Sequence, residues 1–150
     1  MINAERNVEM KTKNYTDISK EEIRDIIRFT KPSDVSNFDI SFKNCSRGYR
    51  GRAYPTGCGY HETASPLVIV SIGKADYFPV KHTPDKPGYL PVELYNRIEA
   101  FVFVTAHELR HLWQSKHPRG YRVWGARGQY SERDADAYAI QMVRKWRREH

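Results

Sequence analysis

The sequence predicts an α+β fold: a small, mostly antiparallel sheet drawn from the first half of the chain, followed by two long helices. Three observations carry this expectation. The run Leu67–Ile72 is β-branched and bounded by Pro66 and Gly73; Phe38, Ile40 and Phe42 alternate with polar residues; and apolar residues recur at helical spacing in the last third. With 150 residues the chain suits one domain with a sizeable core. A hydrophobic fraction of 39%, with 13% aromatic residues, places it among globular rather than disordered chains.

Taken in order, residues 1–18 are polar and aperiodic, and read as a flexible arm ahead of one domain over 19–150. Ser19 and Glu22 form a capping box, and Ile23, Ile26 and Ile27 follow at helical spacing. This predicts a helix over 20–30 that stops before Pro32 and packs on the sheet. A strand with one wet face covers Phe38 to Lys43, and Ser46 to Gly48 reads as a turn. Tyr49–Tyr54 reads as the returning strand, and Tyr77 to Val80 as an edge strand in which Pro79 is tolerable. Residues 83–91 are a loop rich in proline and glycine, and Pro91 suits the first turn of a helix over 92–114. The last helix is expected to start at Ser131 as its cap, with Asp134 completing a capping pair. Its apolar stripe is Ala135, Ala139, Met142 and Trp146, where the small alanines permit close approach of a neighbour.

The chemistry concentrates in His107-Glu108-x-x-His111. The two histidines are four residues apart, so a helix stacks them one turn above the other on one face. Two imidazoles so placed can share a tetrahedral zinc ion. Glu108 lies about 100° round the helix from His107, where it can reach a zinc-bound water without ligating the metal. That is the arrangement of metal-assisted hydrolysis, with Glu108 as the general base. The apolar residues Phe101 to Val104 upstream make this helix central and buried, where polar groups need partners.

A catalytic zinc takes three protein ligands and water, so a third ligand is required. Glu132 lies 21 residues after His111, and Asp136 follows it by four on the same helix face. Glu132 serves as ligand, and Asp136 can orient a histidine by accepting its other N–H. The rival is His117, six residues after His111, at the ligand spacing of the metzincin peptidases. Those proteins place glycine where this chain has Gln114, and Glu132 is the preferred choice. Cys58 could replace the carboxylate ligand, as a cysteine does in peptide deformylases, but those enzymes carry a Glu-Gly-Cys segment where this chain has Thr56-Gly-Cys58. His61, His82 and His150 have no helical partner and read as surface residues, while Tyr121, Tyr130 and Tyr138 are open choices for an oxyanion donor.

His107-Glu108-x-x-His111 followed by Glu132-x-x-x-Asp136 resembles the gluzincin class of zinc metallopeptidases. The segment Glu132 to Ala139 is also similar to the Glu-x-x-Ala-Asn/Asp-x-Phe/Tyr-Ala stretch of ImmA/IrrE-like metallopeptidases. The resemblance covers residues 105–139 and implies a zincin-like fold whose active-site helix is joined by a C-terminal helix supplying the third ligand. It implies zinc held by His107, His111 and Glu132, Glu108 as base, Asp136 behind the ligands, and a peptide or protein substrate. Members of that family cut DNA-bound regulators and often carry a helix-turn-helix domain, for which this chain has no room.

Two other function classes stay open: a catalytically silent zinc-containing binding module, with the site kept for stability, and a basic nucleic-acid-associated protein whose histidines are incidental. A net charge of +7 permits anionic partners without specifying one. Nucleic acid is possible, but no nucleic-acid-binding motif accompanies the charge, and the basic run from Arg144 to Arg148 reads as a solvated helix end. Cys45 and Cys58 are too few for a disulfide framework. No apolar run is long enough for a membrane span and no signal peptide is visible, so a cytoplasmic protein is expected.

Overall fold

The structure, a computed structural model, describes residues 11–55, 65–117 and 129–150. It is α+β. The strands are β1 (Thr12–Asn14), β2 (Asp39–Asn44), β3 (Tyr49–Tyr54), β4 (Leu67–Ile72), β5 (Val80–His82) and β6 (Val92–Leu94); the helices are α1 (Lys20–Thr30), α2 (Arg97–Lys116) and α3 (Gln129–Glu149).

The main sheet has the order β1-β2-β4-β3. β1 and β2 pair parallel, as do β2 and β4, and β3 runs antiparallel to β4. The sheet is therefore mixed where a mostly antiparallel one was expected, although β3–β4 and the separate β5–β6 ribbon are antiparallel. β3 does not return onto β2. The short link after β2 crosses the end of β4 instead: Cys45 N–H bonds to Ile72 O at 3.0 Å and Gly73 N–H to Gly48 O at 2.7 Å. Gly48 takes φ 83°, a left-handed conformation that glycine adopts without strain. The most apolar strand, β4, thus becomes interior and β3 becomes an edge.

Part of the expected flexible arm is ordered. β1 pairs with β2, and Arg97 at the start of α2 ties this corner together. Its guanidinium donates to Asp17 at 2.7 Å, to Gly73 O at 2.9 Å and to Asn44 Oδ1.

α1 begins as expected, with Ser19 Oγ accepting from Glu22 N at 3.1 Å. Its buried residues Ile23, Ile26 and Ile27 pack chiefly against α2 and α3 rather than the sheet. The expected helix over 92–114 splits in two. Val92–Leu94 is strand β6, and Asn96 caps the true helix, its Oδ1 accepting from Glu99 N at 2.9 Å. Glu99 reaches back to the Tyr95 N–H at 2.8 Å, so Asn96-x-x-Glu99 was the start signal. α2 then runs without glycine or proline, buried continuously from Glu99 to Leu109, and lies on the inner face of β3 and β4. The fifth strand is Val80–His82, later than the expected Tyr77 to Val80, which begins instead with a short 3-10 turn at Ala75–Tyr77.

α3 packs along α2 through Ala135 and Ala139, both fully buried. Ser131 is not its cap: the helix already includes Gln129, and Ser131 is buried within it. Arg147 is equally far from a solvated end residue. It forms an ion pair with Glu99 at 2.7 Å, donates to Glu93 O at 2.6 Å and lies 3.8 Å over the Tyr95 ring, locking α3 to the start of α2. Among the described residues no helix is long and apolar enough to cross a membrane.

Candidate metal centre

The packing of α3 on α2 brings Glu132 to the two histidines. Ligand atoms of His107, His111 and Glu132 all lie within 4.8 Å of one another. His107 Nε2 is 3.1 Å from His111 Nε2 and 2.9 Å from Glu132 Oε1, and His111 Nε2 is 3.2 Å from Glu132 Oε2. A tetrahedral ion with bonds of roughly 2.0–2.1 Å separates its ligands by about 3.3 Å. The three separations, 2.9 to 3.2 Å, fall slightly short of that figure, the two carboxylate oxygens of Glu132 facing one imidazole each.

The histidines are oriented from behind. Gln114, fully buried, donates through Nε2 to Ser131 O at 2.8 Å and to Asp134 Oδ2 at 3.0 Å. Its Oε1 is left facing His111 Nδ1 at 2.8 Å, so Nδ1 carries the proton and Nε2 turns its lone pair to the centre. His107 Nδ1 lies 2.7 Å from Asp136 Oδ1, an ion-pair contact rather than a linear hydrogen bond. Asp136 Oδ2 accepts the Leu90 N–H at 2.7 Å, which clamps the 83–91 loop beside the ligands. Asp134, expected as a cap, instead receives Arg110 Nε at 2.7 Å and braces Gln114.

Two imidazole lone pairs and a carboxylate aimed at one point repel one another unless a cation or proton sits among them. The titration behaviour reflects this. Burial opposes charge on His107, but Asp136, Glu132 and Glu108 outweigh it and push its pKa up to about 10. In Glu132 burial is overcome by hydrogen bonds to His107 and His111, which hold the carboxyl well below its usual range. The donor set of two imidazoles and one carboxylate is one that suits zinc.

Glu108 is buried on α2, with Oε2 3.9 Å from His107 Nε2, beyond a shared ligand position. Burial raises its pKa, the nearby histidines oppose this, and Glu132 and Asp136 reinforce it. Room for its side chain comes from Gly51 on β3. A Cβ there would lie 2.6 Å from Glu108 Cγ, 2.7 Å from Val104 Cγ1 and 2.8 Å from Glu108 Oε2. The centre opens into a cleft of about 660 Å³ bordered by β3, the 83–91 loop and α2, with Tyr49, Tyr89 and His82 on its walls.

His117 does not join the centre. It is the C-cap of α2, with Nε2 3.0 Å from Asp34 Oδ2. Tyr138 does not line the cleft, since its hydroxyl donates to Thr30 O at 2.6 Å, and Tyr130 stands 61% exposed away from it. Tyr121, Cys58 and His61 lie outside the described residues. The tyrosine that does reach the ligands is Tyr89, which burial, followed by the charge and hydrogen bond of Glu132, pushes up to about 12. Tyr89 has no local signal in the sequence, because it meets Glu132 only through tertiary packing. Gln114 does have one, since it lies three residues after His111 on the same helix face, and only its bonds to Ser131 and Asp134 depend on the packing of α3. His82, expected at the surface, is exposed but packs edge-on against Tyr49 at the cleft wall.

No family model, curated protein or solved structure matches the chain.

Proposed function

We propose that the protein is a zinc-dependent metallopeptidase. The observation that carries this reading is a three-ligand set beside a buried carboxylate that is not a ligand, in an open cleft bordered by an edge strand. His107, His111 and Glu132 hold the ion, with Gln114 and Asp136 fixing the two imidazoles. A bound zinc supplies Lewis acidity toward a carbonyl and acidifies water. Glu108 takes the proton of the attacking water and returns it to the leaving amine. Tyr89, rather than Tyr121, Tyr130 or Tyr138, offers its phenolic O–H to the developing oxyanion. An extended peptide adds itself along the outer edge of β3, the end strand of the sheet among the described residues. A site kept only for stability needs no base, so Glu108 favours an enzyme over a silent zinc-binding module.

The test pairs metal analysis with hydrolysis. Wild type, His117→Ala and Glu108→Gln are expected to hold one zinc per chain, and Glu132→Ala to lose it. Release of amino groups from an unfolded protein such as casein should occur with wild type and His117→Ala but not with Glu108→Gln. Zinc retained by Glu132→Ala sinks the ligand assignment; full activity in Glu108→Gln removes it as the base.

A further inference from the structure

The main sheet has a second face that the metal centre does not use. Ile40, Phe42, Val68, Val70 and Ile72 point to the core and are buried, so the alternate residues of the same strands point away. On β3 the division is plain: Gly51 faces Glu108, which turns Arg50 and Arg52 outward. The pairing register then assembles two cross-strand rows. Lys13 lies opposite Ser41, Ser41 opposite Ile69, and Ile69 opposite Arg52; beside it runs Lys43, Ser71, Arg50. With strands about 4.8 Å apart and about 3.3 Å per residue, the cations frame a patch roughly 14 Å by 7 Å.

Lys13, Lys43, Arg50 and Arg52 are all exposed, and none makes an ion pair or side-chain hydrogen bond with another described residue. Asp39 is the one acidic residue in these four strands. Four cations on one face with no acidic partner among the described residues are electrostatically unfavourable for one another, and favourable toward a polyanion. Between them lies half-buried Ile69, and at the rims are Tyr15, 62% exposed, and Tyr54 at the end of β3. A four-stranded face of this width is broader than the roughly 12 Å major groove of a duplex, whereas cations flanking aromatic and aliphatic surface suit a phosphate backbone with its bases stacked inward.

We propose that this open sheet face binds single-stranded nucleic acid. The site is separate from the basic end of α3, where Arg147 is already committed to Glu99. No ligand residue of the metal centre belongs to either row, although Arg50 and Arg52 on the edge strand also border its cleft.

The test is fluorescence anisotropy of the full chain with labelled oligothymidylate and oligouridylate of about 20 nucleotides, in parallel with a duplex of the same length. Binding is expected at about 50 mM salt and should weaken steeply by about 200 mM. It should persist in a chelator. The pairs Lys13→Ser/Lys43→Ser and Arg50→Ser/Arg52→Ser should each weaken binding at least about tenfold and lower the salt slope by about 0.7 for each phosphate no longer neutralised. Tyr15→Ala, at an exposed position that carries no core packing, should weaken it at least about fivefold. Arg144→Ser/Arg148→Ser on α3 should leave it unchanged. Zinc content equal to wild type in the Lys13/Lys43 pair shows that its fold is intact. The comparison of thymidylate with uridylate separates DNA from RNA as the partner. Absence of binding at low salt, loss confined to the α3 pair, preference for the duplex, or equal binding of polyglutamate each overturns the proposal.

Discussion

Gly51→Ala probes the contact that aims Glu108. Gly51 pairs with Val70 as an ordinary strand residue, so alanine meets no backbone penalty there. The cost is steric: the new methyl would lie 2.6 to 2.8 Å from Glu108 and Val104, where ordinary contact begins near 3.4 Å. Val104 belongs to the rigid middle of α2, so Glu108 must give way by several tenths of an ångström or more. Overpacking of this kind costs about 1–3 kcal/mol. For a chain of this size that is a fall in Tm of roughly 2–4 °C per kcal/mol. A base displaced by about 1 Å costs on the order of a hundredfold in rate, so hydrolysis should fall far more than stability does. Zinc content should not change, because the clash does not involve a ligand. Thermal melts and peptide hydrolysis are then repeated in a Glu108→Ala background, where the melting penalty of Gly51→Ala should shrink by about 1 kcal/mol through coupling. Wild-type stability and activity in Gly51→Ala, or a penalty unaltered by Glu108→Ala, refutes the argument.

Tyr89→Phe should lower kcat by about 10²–10³-fold with little change in KM if the phenol serves the oxyanion, whereas a change in KM alone assigns it to substrate binding. Gln114→Leu leaves His111 Nδ1 and Ser131 O without their buried partner; a loss of about 1–3 kcal/mol in denaturant unfolding and a zinc affinity weaker by about 10–100-fold are expected, and unchanged affinity removes Gln114 as the orienting group. The metal-free protein should lose stability on both sides of mildly acidic pH. His107, raised from 6.5 to about 10, contributes stability that is complete below pH 6.5 and disappears as pH climbs through about 10. Buried Glu108, also raised, acts in the same direction. Glu132, lowered, contributes stability present above 4.5 that is lost as pH falls. Denaturant titrations in a chelator should therefore peak between these values. Competition titrations should find zinc binding tighter by up to tenfold per pH unit from about 7 to 10, as the ion displaces the His107 proton; a pH-independent affinity contradicts that proton's place.

Local patterns in the chain were sufficient wherever a structural consequence acts over a few residues. The capping box at Ser19 and Glu22 marked α1, and the β-branched run at Leu67–Ile72 marked β4. The four-residue step from His107 to His111 put both imidazoles on one face. Glu132 and Asp136 were legible for the same reason, since both ride one helix face and need only the helix to meet its neighbour. Where the local signal was ambiguous it misled. Pro91 suggested a helix start, but Val92 and Leu94 pair with β5, and the real cap was Asn96 five residues later.

The sequence by itself determined most of the elements and the helix that carries the candidate metal ligands, because helical and strand periods and caps are short-range properties. Only the tertiary structure decided that β4 inserts between β2 and β3, making β3 the edge beside the cleft and placing Gly51 over Glu108. Strand pairing is chosen by burial of the most apolar strand, which no local pattern encodes. The roles of Tyr89 and Asp134, the anchoring of Gln114 to Ser131 and Asp134, and the gathering of Lys13, Lys43, Arg50 and Arg52 on one face arise in the same way, from contacts between segments far apart in the chain.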